Sequence, residues 1–278
     1  MIKTVFHIPP AFSGNQAKHV LVSPSEEGVS FLYFQQHPFF VAGLSVYQYS
    51  NVPGQLERAG LLAEACKQEP GKNETWENIY ILGNGKPALL VPNAYYSPGE
   101  NENSLDLVFG ESLETVCFAD DLPQLQAKNI WRMQQDEYHY LQTHYPGARY
   151  LHANTMALAG TCESGDALHC IVERNQLKVI LFSGGTLQII QQFTYHTPVD
   201  AVYYLLNTCK QYEMSPHSIP LILYGYIETD STLYQDMYKY FLTINFAEMP
   251  RDVNVSEPIS QYPGHYFVHL IQLASCAL

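Results

Sequence analysis

Apolar residues fall in strand-length and helix-period runs along the chain, and the clearest succession of both lies between Ala167 and Phe246. Leu168 to Val172, Leu177 to Phe182 and Leu187 to Phe193 are apolar or alternating runs of strand length. Arg174-Asn175-Gln176 and Ser183-Gly184-Gly185 interrupt them, which predicts two tight hairpins. A helix is predicted to start at Thr197-Pro198-Val199-Asp200: Thr197 can cap it, Pro198 suits the first helical position, and Asp200 stands where a capping-box acid belongs. Its apolar face reads Val199, Val202, Tyr203, Leu206 and Cys209. A buried-looking strand, Ile219 to Tyr224, then exits at Gly225 into a second helix carrying Leu233, Met237, Tyr240 and Phe241.

The N-terminal half repeats this order without repeating the residues. After an irregular arm over residues 1–17, strands are expected at His19 to Ser23, Val29 to Phe34 and Phe39 to Tyr47. A helix over Pro53 to Gln68 follows, with Leu56, Ala59, Ala63 and Cys66 on one face. Glu69-Pro70-Gly71 ends it. A strand from Asn78 to Leu82 turns at Gly83-Asn84-Gly85, read as a hairpin turn, into Ala88 to Val91. Between the two copies lie an insertion over residues 97–121 and a predicted helix from Pro123 to Tyr145, whose Leu125, Ile130, Met133 and Tyr138 make no clean stripe. Leu151 to Ala159 bridges to a polar segment, Thr161 to Asp166, where the domain boundary is expected, giving domains 1–160 and 161–278. The chain closes with a short strand at Asn245 to Glu248, a polar loop from Pro250 to Pro263, and a helix from His265 to Ala277 that buries Phe267, Leu270, Ile271 and Ala274.

Composition narrows the class. The 278 residues are 46% hydrophobic, enough for two domains of ordinary size. No run reaches the roughly 18 apolar residues that span a bilayer, and Met1 to Pro10 lacks the apolar core of a signal peptide. A cytoplasmic protein is expected. Lys and Arg number 14 against 27 Asp and Glu, a net charge of −13 that opposes binding to a phosphate backbone. The acidity is concentrated: between Lys86 and Lys128 there is no basic residue, while Glu100, Glu102, Asp106, Glu111, Glu114, Asp120 and Asp121 fall there. This is a solvated face or a docking face for a basic partner. The cysteines, Cys66, Cys117, Cys162, Cys170, Cys209 and Cys276, form no Cys-x-x-Cys pair and read as free thiols of a reducing compartment. Asn73-Glu74-Thr75 and Asn254-Val255-Ser256 match the glycosylation sequon, which carries no weight without a secretory signal.

Paired three-strand meanders, each followed by a helix and further strands, together with the Leu221-Ile222-Leu223-Tyr224-Gly225 exit and the closing Tyr262-Pro263-Gly264-His265-Tyr266 run, resemble the actin-like ATPase superfamily. More narrowly, the chain is similar to an uncharacterised bacterial family of that fold with no established activity. The resemblance spans roughly residues 19–93 and 166–277 and implies an α/β, duplicated ribonuclease H-like architecture: two domains, each with a five-stranded mixed sheet flanked by helices. Active members place an Asp-x-Gly turn after each copy's first strand, where glycine amides hold phosphates and the aspartate positions magnesium through water. Here the turns are Ser23-Pro24-Ser25-Glu26-Glu27-Gly28, without aspartate and with Pro24 lacking a donor, and Glu173-Arg174-Asn175-Gln176, without glycine. At the adenosine exit the usual second glycine is Tyr226, which can block a base or stack on it.

The resemblance therefore implies a nucleotide-like cleft at Gly225, Tyr226 and Glu173 with degenerate phosphate motifs, no catalytic residue, no metal site and no cofactor. The expected role is binding or scaffolding of a protein partner, with neither nucleic acid nor membrane insertion involved. Two alternatives stand beside it: a divergent ATPase or kinase using ATP and magnesium through Glu173 or Glu26 and Glu27, and a structural protein that self-assembles or docks through its acidic insertion. His139, His144 and His152 lack the spacing of a helical zinc pair and read as surface histidines. The 21 tyrosines suit half-buried core edges or an aromatic protein contact.

Overall fold

A computed structural model describes residues 1–12, 14, 16–50, 55–69, 75–85, 87–161 and 165–276, with the side chains of 55, 56, 160 and 161 outside that description. It divides into two compact units, one of Met1–Ala159, Asp252–Ile259 and Ala274–Leu278, the other of Gly160–Arg251 and Ser260–Leu273. Pro53, Pro70-Gly71, Asn73, Cys162 with part of the boundary segment, and Ala277 lie outside the described residues.

Unit 1 contains β1 (Ile2–Ile8), β2 (Lys18–Pro24), β3 (Gly28–Gln35), β4 (Phe40–Tyr49), α1 (Gln55–Gln68), β5 (Asn78–Gly83) and β6 (Ala88–Pro92). It continues through α2 (Asn101–Phe109), β7 (Thr115–Leu122), β8 (Ala127–Gln134), α3 (Gln135–His144), β9 (Arg149–His152) and α4 (Ala153–Thr161). Its large sheet has the order β1-β4-β3-β2-β5-β9. β2, β3 and β4 form an antiparallel meander, and β5 and β9 add parallel to β2. β2 and β3 are buried almost without interruption, so they read as continuous apolar runs and not as alternation. A separate three-stranded sheet, β6-β8-β7, carries the acidic insertion.

Unit 2 contains β10 (Ala167–Val172), β11 (Gln176–Ser183), β12 (Thr186–Thr194), α5 (Pro198–Gln211), β13 (Leu221–Gly225), α6 (Thr232–Tyr238) and β14 (Ile244–Phe246). Its sheet runs β12-β11-β10-β13-β14, antiparallel through the meander and parallel from β10 onward. This is the strand order of β4-β3-β2-β5-β9 in unit 1. β15 (Asn254–Val255) then pairs with β4, α7 (Glu257–Ser260) follows, and α8 (Val268–Cys276) closes the chain.

The helix caps formed as their residues dictate. Thr197 and Asp200 make the reciprocal capping box of α5, with Asp200 N–H donating to Thr197 Oγ1 at 3.2 Å and Thr197 N–H donating to Asp200 Oδ2 at 2.9 Å. The buried face of α5, however, is Ala201, Val202, Leu205, Thr208 and Cys209, and Val199 and Tyr203 are 67% and 61% exposed. Ala201, Val202, Leu205 and Cys209 join the unit 2 core, so the buried face is rotated from the one that hydrophobicity alone selects.

Other expectations are corrected. Among the described residues the sheets have seven, three and five strands, so two equal five-stranded sheets are not what forms. The arm at residues 1–17 contains β1, which pairs with β4 from Ile2↔Tyr49 to Ile8↔Leu44. The helix expected over Pro123 to Tyr145 is β8 followed by α3: Asn129 to Met133 are all buried, so they follow neither period. Gly83-Asn84-Gly85 is no hairpin, because β6 leaves β5 and pairs with β8. Leu151 to Ala159 is the end of β9 and the body of α4. His152 is buried, while His139 and His144 are exposed. Cys66, Cys170 and Cys209 are free and buried, and Cys117 and Cys276 are free and partly buried. Among the described residues, no helix is long and apolar enough to cross a membrane.

Candidate functional site

Open α/β sheets bind ligands outside the carboxyl ends of their parallel strands. In unit 2 those ends are Val172 on β10 and Gly225 on β13, which stand opposite each other in register. The structure brings the sequence-predicted residues together here, since Glu173 follows Val172 and Tyr226 follows Gly225. Gly225 has φ +84°, and a Cβ there would sit 2.1 Å from the Val172 carbonyl oxygen. The glycine is demanded by the neighbouring strand. Tyr226 N–H donates to that same carbonyl at 3.0 Å, Glu173 N–H donates to Gln176 O at 2.9 Å, and Tyr195 Oη donates to Glu173 O at 2.9 Å. The Tyr226 ring lies edge-on to Tyr266, 5.8 Å between centroids. Burial, and then the nearby Glu173 carboxylate, push its phenol well above the usual tyrosine range.

Two residues near this turn were not singled out in the sequence. Lys178 lies in the middle of the apolar strand β11 and is buried; burial pulls its ammonium down to about 8 against the opposing pull of Glu173. His269 on α8 is buried too, and burial followed by the Lys178 charge holds its imidazole down at about 3. The legible signal was the lone lysine in Leu177-Lys178-Val179-Ile180-Leu181.

The corresponding strand ends of unit 1, Pro24 on β2 and Gly83 on β5, border a cavity of about 720 Å³. The turn after β2 is closed on itself: Ser25 N–H donates to Gly28 O at 2.8 Å, and a Cβ on Gly28 would meet the Tyr47 carbonyl oxygen at 2.0 Å. One wall of the cavity is Trp131, whose Nε1–H donates to Asp120 Oδ1 at 3.1 Å and whose ring stacks on Phe118 at 4.3 Å. Asp120 also accepts from His152 N–H at 2.8 Å and from Thr155 Oγ1 at 2.6 Å, tying the small sheet to the start of α4. Gly83 leaves room for the indole, since a Cβ there would lie 2.6 Å from Trp131 Cζ3.

The chemistry of this cavity is acidic. Glu26, Glu111, Glu114, Asp136 and Glu137 line it with Arg58 and Arg132. Arg132 is engaged elsewhere, pairing with Asp106 and donating to Gly110 O at 2.7 Å. Glu137 stands in the first turn of α3 and is 7% exposed; Arg58 Nε approaches its Oε1 at 3.7 Å, an ion pair too long to be a hydrogen bond. Burial pushes the Glu137 carboxyl up to about 7 against the pull of Arg58, with Asp136 and Glu26 adding to the rise. Arg58 and Glu137 come from helices far apart in the chain, and nothing in their local sequence marks them as a pair. Among the described residues, no group of three or more His, Cys, Asp or Glu is placed to hold a metal ion.

Residues 12–244 match a family described as "Protein of unknown function (DUF3822)". No curated protein matches the chain. Among solved structures, a Bacteroides thetaiotaomicron protein with actin-like ATPase fold and unknown function superposes with a TM-score of 0.73 at 17% identity, over 93% of this chain and 96% of that one. A chain of the PilM-PilN type IV pilus biogenesis complex superposes with a TM-score of 0.61 at 11% identity, over 95% of this chain and 99% of that one. With strand order, register and these superpositions in agreement, the chain has the actin-like ATPase fold and belongs to the DUF3822 family of proteins of unknown function.

Proposed function

We propose that this protein is a cytoplasmic binding or scaffolding protein built from a duplicated ribonuclease H-like unit, one that recognises a protein partner and does not transfer phosphoryl groups. Duplication is supported by the strand order common to β4-β3-β2-β5-β9 and β12-β11-β10-β13-β14, with β1 and β15 as additions to the first copy. The two domains we infer divide near residue 160.

One observation carries the functional reading: the groups at the strand exits that would meet a nucleotide are turned onto the protein's own carbonyls. Gly225 and the Tyr226 amide are occupied by Val172, Gly28 is packed on Tyr47, and the amides of Ser25 and Glu173 close their own turns. A phosphate cradle needs several amides converging on an anion. These turns do not fit one, and the carboxylates of Glu26 and Glu27 beside them would repel a polyphosphate. The free buried thiols support the cytoplasmic placement. That one fold neighbour is part of a pilus biogenesis complex supports a role in protein assembly by analogy of fold only.

Equilibrium binding of a fluorescent ATP analogue to the purified chain, with and without magnesium, tests this reading. No saturable signal is expected up to millimolar nucleotide. A saturable, magnesium-dependent signal that Glu173→Gln abolishes would replace it with a divergent ATPase.

A further inference from the structure

The apolar residues at the mouth of the unit 1 cavity are on the outside of the molecule. α2 buries Leu105 and turns Leu107 and Val108 to solvent, Leu107 being 88% exposed. Phe109 at the end of α2 and Leu113 beyond it line the cavity while remaining 39% and 84% exposed. Contiguous exposed apolar residues of this size beside a cavity mark an interaction surface more often than chance exposure does.

We propose that this face docks a basic amphipathic segment of a partner protein, whose apolar side chains cover Phe109 and Leu113 while one lysine or arginine enters the cavity to meet Glu137. The inference rests on the binding-protein reading above and names the chemistry of the partner.

Charge selects this occupant over others. The stretch from residue 87 to 127 holds seven acids and no Lys or Arg, and the cavity beneath it is acidic as well. An anionic lipid surface would be repelled. A second copy of the chain, itself at −13, would be repelled likewise. A cation reaching Glu137 finds a carboxylate that is nine-tenths buried and whose described partner, Arg58, stands beyond hydrogen-bond distance. An incoming ammonium or guanidinium would make the hydrogen bonds that Arg58 does not, in a site where water screens little.

The test is fluorescence anisotropy of the full chain with a labelled 14-residue amphipathic peptide of leucine and lysine, and with its leucine and glutamate counterpart. The expected result is saturable binding of the lysine peptide, weakened by salt, and none of the glutamate peptide. Phe109→Ser with Leu113→Ser should weaken it roughly tenfold, as loss of a central apolar anchor does, and Glu137→Gln several-fold. Leu242→Ser, exposed in unit 2, should change nothing. Equal binding of both peptides, or unchanged affinity in both cavity variants, overturns the proposal. So does co-sedimentation with phosphatidylglycerol vesicles or self-association that Leu113→Ser abolishes. If the lysine peptide fails while nucleotide binding is also absent, the docking surface falls and the binding-protein reading stands. A magnesium-nucleotide signal alongside peptide binding does the reverse.

Discussion

Glu137 shows most plainly how one residue's surroundings set its behaviour. Its carboxyl titrates near 7 in the folded chain, against an ordinary glutamate value of 4.5. The groups facing it are Arg58 on α1, Asp136 on its own helix, Glu26 in the β2–β3 turn and the Tyr49 hydroxyl on β4. Because the folded state holds this proton more tightly than the unfolded chain, the contribution to stability is full below pH 4.5 and is lost as pH rises through 7. Urea unfolding of wild type and Glu137→Gln from pH 4.5 to 8 should show the variant gaining on wild type by up to roughly 3 kcal/mol across that range. A constant difference between the two would contradict the burial argument. At Gly225 the constraint is steric, with positive φ and the Val172 carbonyl occupying the place of a Cβ. Gly225→Ala should therefore lose about 3 kcal/mol in the same measurement, whereas a loss below about 0.5 kcal/mol would mean that β10 and β13 can part at little cost.

At the scale of elements, local rules decided α5 and tertiary packing decided much of the rest. Thr197→Ala removes one half of the capping box and should lower stability by about 1 kcal/mol, with a cooperative unfolding transition retained; an unchanged midpoint would show that Pro198 and the packing of Leu205 suffice to set the helix start. The capping box was legible because all its determinants lie within four residues. So were the meander strands of both units, because their apolar runs end at turn-forming residues. β8 was not legible: buried from Asn129 to Met133, it includes Asn129, whose amide donates to Thr155, and Arg132, which pairs with Asp106, so polar residues held by other elements sit inside and give no alternation. β1 was missed for a related reason, since its pairing with β4 is decided by an edge that the sequence does not announce. The candidate site was legible in unit 2, where Glu173, Gly225 and Tyr226 sit at strand ends, and illegible in unit 1, where Arg58 and Glu137 meet only after the chain has folded.

For the molecule as a whole, the actin-like ATPase fold sets which strand ends could face a ligand but not what they bind. Here the turns beyond those strands are packed on the protein's own carbonyls, Gly225 on Val172 and Gly28 on Tyr47, and the unit 1 cavity is lined mostly by carboxylates, so polyanions are disfavoured there while cations are drawn in. The surface is organised the same way, with its densest acidic stretch on the small β6-β8-β7 sheet and α2. The proposed function is that of a protein that reads other proteins by charge and apolar contact. The most direct measurement is a thermal-melt titration with ATP and ADP, with and without magnesium. A ligand that binds only the native state must stabilise it, by about 2.7 kcal/mol at a hundredfold excess over the dissociation constant. No magnesium-dependent rise in Tm is expected at millimolar nucleotide, and a saturable rise that requires magnesium would contradict the binding-protein reading.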